Sequence, residues 1–212
     1  MTDSPWPLAH LRIRCRTTEL RPVTESDLPL LASIQPADYE HDPHAEMLPG
    51  LDLAQNRERL VYQDYWRAWG TWSPSSWSLP LVVEYAGAVV GVQSLEAENF
   101  PALRTVDSGS WLVPAVRGRG VGVAMRTAVL GLAFDHLGAL AAVTSARRDN
   151  GASLGVSRRI GYTDNGVSLN DSGSGLVELQ HMRLTHRQWR AAGRGGEVVV
   201  HGVTPCLPWF GR

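Results

Sequence analysis

Apolar and polar positions alternate with a period of two from Leu11 to Val23, where Thr18, Leu20 and Pro22 face opposite to Glu19 and Arg21, and this predicts a strand. Thr24-Glu25-Ser26-Asp27-Leu28 then reads as a helix start. Thr24 can cap it, Asp27 favours its positive end, and the helix is expected to reach about Ile34. Gln35 to Gly50 is rich in Pro, Asp and His without a period, which predicts a loop. Leu53 to Trp69 recurs at helical spacing, with Leu53, Leu60, Val61 and Trp69 on one face and Asn56, Arg57, Glu58 and Asp64 towards water. Trp72 to Pro80 reads as a further loop.

Leu81 to Tyr85 and Ala88 to Val92 are β-rich runs separated by Ala86-Gly87, the pattern of a tight hairpin, and the return strand extends through Gln93 to Glu96. After a loop at Asn99-Phe100-Pro101, Thr105 to Val113 predicts another strand, broken at Pro114. Gly120 to Leu137 has near-helical spacing of Val121, Met125, Ala128, Val129, Leu132 and Phe134, closed by Gly138. Leu140 to Ser145 predicts a short strand, Asn150 to Ile160 a helix stopped by Gly161, and Leu176 to Leu184 a final strand. This order predicts a mixed α/β layer rather than a regular βαβ repeat. One domain over 1–212 is expected, with its core at about 11–185; the stretch 186–212, containing Val198-Val199-Val200, is an arm or an extra edge strand that could build a homodimer.

Composition narrows the function classes. Lys+Arg 20 against Asp+Glu 21, with 19% charged and 43% hydrophobic residues, argue against disorder and against a nucleic-acid partner. Cys15 and Cys206 stand far apart without ligand spacing, which suits two reduced thiols. No basic leader precedes an apolar core at the N-terminus and no run approaches a membrane span, so a cytoplasmic protein without a membrane partner is expected. His41-Asp42-Pro43-His44 lacks a third ligand at sensible spacing, so no metal is expected.

The candidate chemistry lies at Arg117-Gly118-Arg119-Gly120-Val121-Gly122, between a strand and the longest predicted helix. Unpaired N–H groups and the helix dipole favour an anion there, and glycines let phosphate oxygens approach the backbone. The Gly-Lys-Ser/Thr ending of a Walker loop is absent, and Met125 stands where a dinucleotide loop needs its third glycine. The remaining pattern, Arg117-x-x-Gly120-x-Gly122, resembles the coenzyme A signature of the GNAT acetyltransferase superfamily. Its flanks agree: Trp111-Leu112-Val113-Pro114 is similar to the family's fourth strand, and Thr18 to Thr24 with Asp27-Leu28 to its opening. Asn150-Gly151-Ala152-Ser153, with Ile160-Gly161-Tyr162, is similar to its Asn-x-x-Ser segment and closing Gly-Phe/Tyr.

The resemblance, spanning roughly Thr17 to Thr185, implies a splayed, mostly antiparallel sheet flanked by helices, with acetyl-CoA entering where the fourth and fifth strands part. It implies that Arg117 to Gly122 hold the pyrophosphate, that backbone groups of Leu112 and Val113 meet the pantetheine arm, and that Asn150 contacts the cofactor. A backbone N–H near Val113 could polarise the thioester carbonyl. The family's frequent acid, a Tyr four residues before the closing Gly, is Ser157 here, whereas the ribosomal-protein N-terminal acetyltransferase branch implies Ser153 as the acid. For the base, Glu96, Glu98 and Asp107 stay open. Some rings of Tyr62, Tyr65, Trp66, Trp69, Trp72 and Trp77 are expected to line the amine site. Transfer to a primary amine, such as a protein N-terminus, is the first functional expectation; acetylation of a small-molecule amine and a non-catalytic acyl-CoA binding module are the alternatives.

Overall fold

The computed structural model describes residues 5–39, 45–173 and 175–212. The first predicted strand is two, β1 (Arg12–Cys15) and β2 (Thr18–Pro22), paired Ile13 to Leu20. Their turn, Arg16-Thr17, carries no Gly, Asn or Pro to announce it, and Arg16 itself takes the positive φ of 56°. A 3₁₀ turn at Glu25–Asp27 leads into α1 (Leu28–Ile34), with the Thr24/Asp27 capping box formed. Next come α2 (Leu53–Gly70), β3 (Trp77–Tyr85), β4 (Ala88–Ala97) and a one-turn α3 (Phe100–Leu103). β3 and α3 each replace part of a predicted loop: β3 starts at Trp77, and Phe100 opens a helix.

The predicted strand Thr105 to Val113 is divided into β5 (Thr105–Val106) and β6 (Ser110–Leu112). After α4 (Val121–Gly131) and a π-helical turn at Leu132–His136 come β7 (Ala141–Arg147), α5 (Gly151–Ile160), β8 (Thr163–Asp171), β9 (Leu176–Thr185), α6 (His186–Ala191) and β10 (Val198–His201). β8 was not anticipated, because it is exposed along nearly its whole length and therefore has no apolar alternation.

Two sheets result, ordered β10-β1-β2-β3-β4-β6 and β5-β7-β9-β8. All pairings are antiparallel except β5 with β7. α4 is buried at every position except Gly122 and packs beneath β1, β2 and β4, with β10 closing over it so tightly that a Cβ on Gly131 would meet Val198 at 2.7 Å. α1 and α2 cover the opposite face, where Val23, Leu28, Leu31 and Val82 form a second, smaller apolar cluster. On α2 the expected faces are partly exchanged: Leu53 is exposed, while Asn56 is buried because its side chain bonds the carbonyls of Leu48, Leu51 and Asp52.

Most of the predicted aromatic group has a packing role. Trp69, Trp72 and Trp77 stack at 5.6 and 5.9 Å, joined by Trp6, Trp209 and Phe210, and the Trp72 indole N–H donates to the carbonyl of Trp209 at 2.9 Å. These rings fasten the last residues of the chain to the end of α2.

Candidate active site

The division of residues 105–113 opens the sheet. Thr105 and Val106 pair with Ala141 and Ala142 of β7, but Asp107 bridges back to Glu96, and Ser110 to Leu112 follow β4. Beyond Ser108 the two strands therefore share no ladder, and a gap separates β6 from the second half of β7. The Val113 N–H donates to Val90 at 2.9 Å and the Ser94 N–H to Gly109 at 2.8 Å, so odd-numbered residues of this segment face β4. The alternation turns the main-chain groups of Ser110 and Leu112 towards the gap. Val113 is thus corrected as a backbone donor, its N–H being consumed inside the sheet. Leu112 retains the expected edge position, although its carbonyl accepts from Arg117 Nε at 3.0 Å.

The gap leads to the start of α4. Gly118 and Gly120 adopt φ of 76° and 84°, and a Cβ on either would meet nothing within 4 Å, so the backbone is open to a ligand. The first main-chain bond of the helix is Ala124 N–H to Gly120, leaving the N–H groups of Val121, Gly122 and Val123 without helical carbonyls. These features fit a pyrophosphate. Gly122 serves packing as well, since a Cβ there would lie 3.3 Å from Val156 of α5. Arg119 is exposed beside the loop. Both terminal nitrogens of Arg117 bond Asp38, at 2.6 and 2.8 Å, in an exposed ion pair beside the loop. Asn150 likewise has its side-chain oxygen engaged, accepting from the Ser153 N–H at 3.0 Å as the cap of α5.

On the side of the gap facing α4 and α5 lies a buried group that the sequence did not disclose. Arg126 is 4% exposed and donates to the hydroxyls of Ser157 (3.0 Å), Thr144 (3.4 Å) and Ser110 (3.4 Å). Burial pulls its pKa down, against the opposing influence of Tyr162 and Asp107. Burial likewise pushes the Tyr162 phenol up to about 12. An arginine inside an apolar helical stripe was the available signal, since such a position must find polar partners.

On the other side of the sheet, α1, α2 and the strands enclose a cleft of about 430 Å³. Val92, Glu96, Ser110 and Trp111 contribute from the sheet, and Leu28, Leu31, Val61, Asp64 and Tyr65 from the helices, with Tyr39 packed edge-on to Trp111 at 6.3 Å. Burial, then the charges of Asp64 and Glu96, raises the pKa of Tyr39. Of the predicted rings Tyr65 lines the cleft; Trp66 is exposed on α2.

Glu96 stands in this cleft, its Oε1 accepting from Ser94 Oγ at 2.9 Å. Asp107 lies directly opposite it across the ladder, and burial, reinforced by the Glu96 charge, raises its pKa while the Ser108 N–H opposes. Glu98 is exposed just beyond β4. Ser153 occupies the first turn of α5, one turn before Ser157, and its carbonyl accepts from Ser157 Oγ at 3.2 Å. The structure thus brings Glu96 and Asp107 together, whereas Ser153 belongs to the opposite side of the sheet. The His41 and His44 pair lies outside the described residues; among those described, no cluster of metal-binding side chains is found. No helix among them is long and apolar enough to cross a membrane.

Residues 18–163 match the family described as "Acetyltransferase (GNAT) domain". The chain is a GNAT acetyltransferase. It is therefore an acetyl-CoA-dependent acyltransferase. Solved GNAT structures share the fold. RimJ from Mycobacterium smegmatis, solved in complex with CoA-disulfide, aligns with a TM-score of 0.65 and 21% identity over 89% of this chain and 97% of its own. A spermidine N-acetyltransferase SpeG chimera from Vibrio cholerae and human SSAT gives 0.60 and 14%, over 82% and 99%. A GNAT acetyltransferase from Bacillus anthracis gives 0.64 and 13%, over 83% and 99%.

Proposed function

We propose that this GNAT enzyme transfers acetyl from acetyl-CoA directly to a primary amine seated in the α1/α2 cleft, and that the amine is the α-amine of a protein N-terminus. The observation that carries this reading is the composition of the cleft where it meets the gap. Its walls are largely apolar and aromatic, with Gln35, Thr71 and Ser78 as neutral polar groups; Glu96 faces it from the sheet, while Asp64 is ion-paired to Arg67 at 3.2 Å. A polyamine has several cations to satisfy, and this cleft supports one; a chain terminus presents one amine beside a side chain that apolar walls can hold. An α-amine also ionises at about 8, against about 10.4 for a lysine, so a single carboxylate suffices to remove its proton.

In this reading Glu96 takes the amine proton, directly or through one water, with Asp107 beside it keeping the local charge negative. The nitrogen attacks the thioester carbon, while main-chain N–H groups on the gap-facing edge of Ser110 and Leu112 support the developing oxyanion. The glycine loop and α4 N-terminus hold the pyrophosphate, and Asn150 orders the neighbouring start of α5.

Thiol release from acetyl-CoA with a panel of acceptors tests it. Peptides with free N-termini are expected to be acetylated, Nα-blocked peptides containing lysine are not, and Glu96→Gln lowers kcat by about 10². Spermidine turning over faster than every peptide sinks the acceptor assignment, and coenzyme A binding without turnover of any amine sinks catalysis.

A further inference from the structure

Arg126 is a permanent cation in a nearly sealed position, and none of the described carboxylates ion-pairs with it. Its hydrogen-bond partners are three neutral hydroxyls, with the Asp107 charge acting on it without a direct bond, and its Nε has no partner. Two of those hydroxyls direct their hydrogens elsewhere: Thr144 Oγ donates to the carbonyl of Ser108 at 3.3 Å, and Ser157 Oγ to that of Ser153 at 3.2 Å. Ser110 differs. Its oxygen accepts from Arg126, and among the described residues no acceptor takes its hydrogen. Ser110 also borders both the cleft and the gap in the sheet. A hydroxyl that accepts from a guanidinium is a strengthened donor, so an anion in the gap would be met by this hydrogen with the charge of Arg126 behind it.

We propose that Ser110, polarised by Arg126, receives the negative charge that develops on the coenzyme A sulfur as the thioester breaks. The proposal rests on the acyl-transfer reading above. Glu96 passes the first amine proton on to water; the neutral nitrogen then forms the C–N bond, its second proton passes to Glu96, and the C–S electron pair stays on sulfur as a thiolate, protonated by water after release. Ser110 is then the catalytic residue and Arg126 its positioning residue. The tyrosine position occupied by Ser157 needs no acid of its own. The titratable groups that face Arg126 are Asp107 from the β5–β6 segment and Tyr162 following α5; the latter stays neutral through the working range.

The test is ionisation of bound coenzyme A, followed by thiolate ultraviolet absorbance against pH with no amine present, so the outcome is independent of the acceptor. In the native complex the thiolate fraction near neutrality is expected to exceed that of free coenzyme A by about tenfold or more. Ser110→Ala and Arg126→Gln should bring it back to the free value, and Arg126→Lys should preserve most of the gain. Turnover by Ser110→Ala should fall about 10- to 100-fold with KM for acetyl-CoA little changed. If Arg126→Gln fails to fold, Ser110→Ala still decides. Native and Ser110→Ala complexes that ionise alike overturn the proposal, as does a Ser153→Ala variant that loses as much kcat as Ser110→Ala, since a proton donor would then be doing this task.

Discussion

The two sides of the split sheet are built by opposite means. The side proposed to hold the donor uses main-chain N–H groups at the start of α4, two glycines with positive φ, and buried hydroxyls around Arg126. The acceptor side uses side chains from α1, α2 and the loop between them, held by surface-accessible ion pairs such as Asp38 with Arg117 and Asp64 with Arg67. Backbone donors point the same way whatever side chains surround them, whereas a wall of side chains can be changed one residue at a time. In the proposed reading, the donor side is therefore the part of the enzyme that resists substitution, and the acceptor side the part that sets which amine is used.

The largest expected effect is on the donor side. Gly120→Val places a β-branched side chain at φ 84°, into the open space where phosphate would lie. Coenzyme A affinity measured by calorimetry should fall by about 10² or more, because both the approach to the backbone and the N–H directions are lost. Retained affinity would break the distinction between the two sides at its root. Gly122→Val would be a poorer probe, since the clash with Val156 at 3.3 Å mixes loss of packing between α4 and α5 into the result.

The same contrast explains what the sequence disclosed. Glycine spacing, the α4 stripe and the Asn150/Gly161 boundaries of α5 are local signals, and the donor side is made of them. The division of Thr105 to Val113 is not local: whether each residue pairs with β4 or β7 depends on strands distant in sequence. The place of the Val113 N–H was not legible for that reason: it donates to Val90 rather than standing at the gap. The Arg117 ion pair was not legible because its partner, Asp38, comes from a loop without periodicity. Trp69, Trp72 and Trp77 belong to the aromatic cluster because Trp6 meets the first two and Phe210, from the other end of the chain, meets the last two.

A smaller effect tests how the acceptor wall is held. Asp27 anchors α1, whose Leu28 and Leu31 line the cleft, by accepting a two-pronged bond from Arg21 at 2.8 Å and further bonds from Thr24. Burial alone would raise its pKa, but the bonds from Arg21 and Thr24 outweigh burial and hold it at about 2. A lowered folded-state pKa means that the contribution is complete above the unfolded value of about 3.9 and disappears as pH falls through about 2. Asp27→Asn should lower unfolding free energy at neutral pH by about 2 kcal/mol, and the difference from the native protein should shrink across that acid window. Urea titrations at several pH values check it; a difference independent of pH would move the stabilisation from charge to packing.

The smallest effect concerns the contact that joins the two sides. Asp38 and Arg117 are both exposed, so their ion pair should contribute little to global stability, and Asp38→Ala should leave Tm nearly unchanged. Its mechanical role is separable from its energy. Arg117 stays tied to the donor side through its Nε bond to the Leu112 carbonyl, whereas Asp38 precedes Tyr39, which packs on Trp111 at the cleft wall. Removing the carboxylate therefore loosens the acceptor loop and leaves the donor loop in place. KM for the amine should rise about two- to fivefold while KM for acetyl-CoA stays within twofold, and added salt should produce the same shift in the native enzyme by screening the pair. A change in the acetyl-CoA term instead would mean that Arg117, once released, turns to the phosphates, and that the boundary between the two sides lies at this residue.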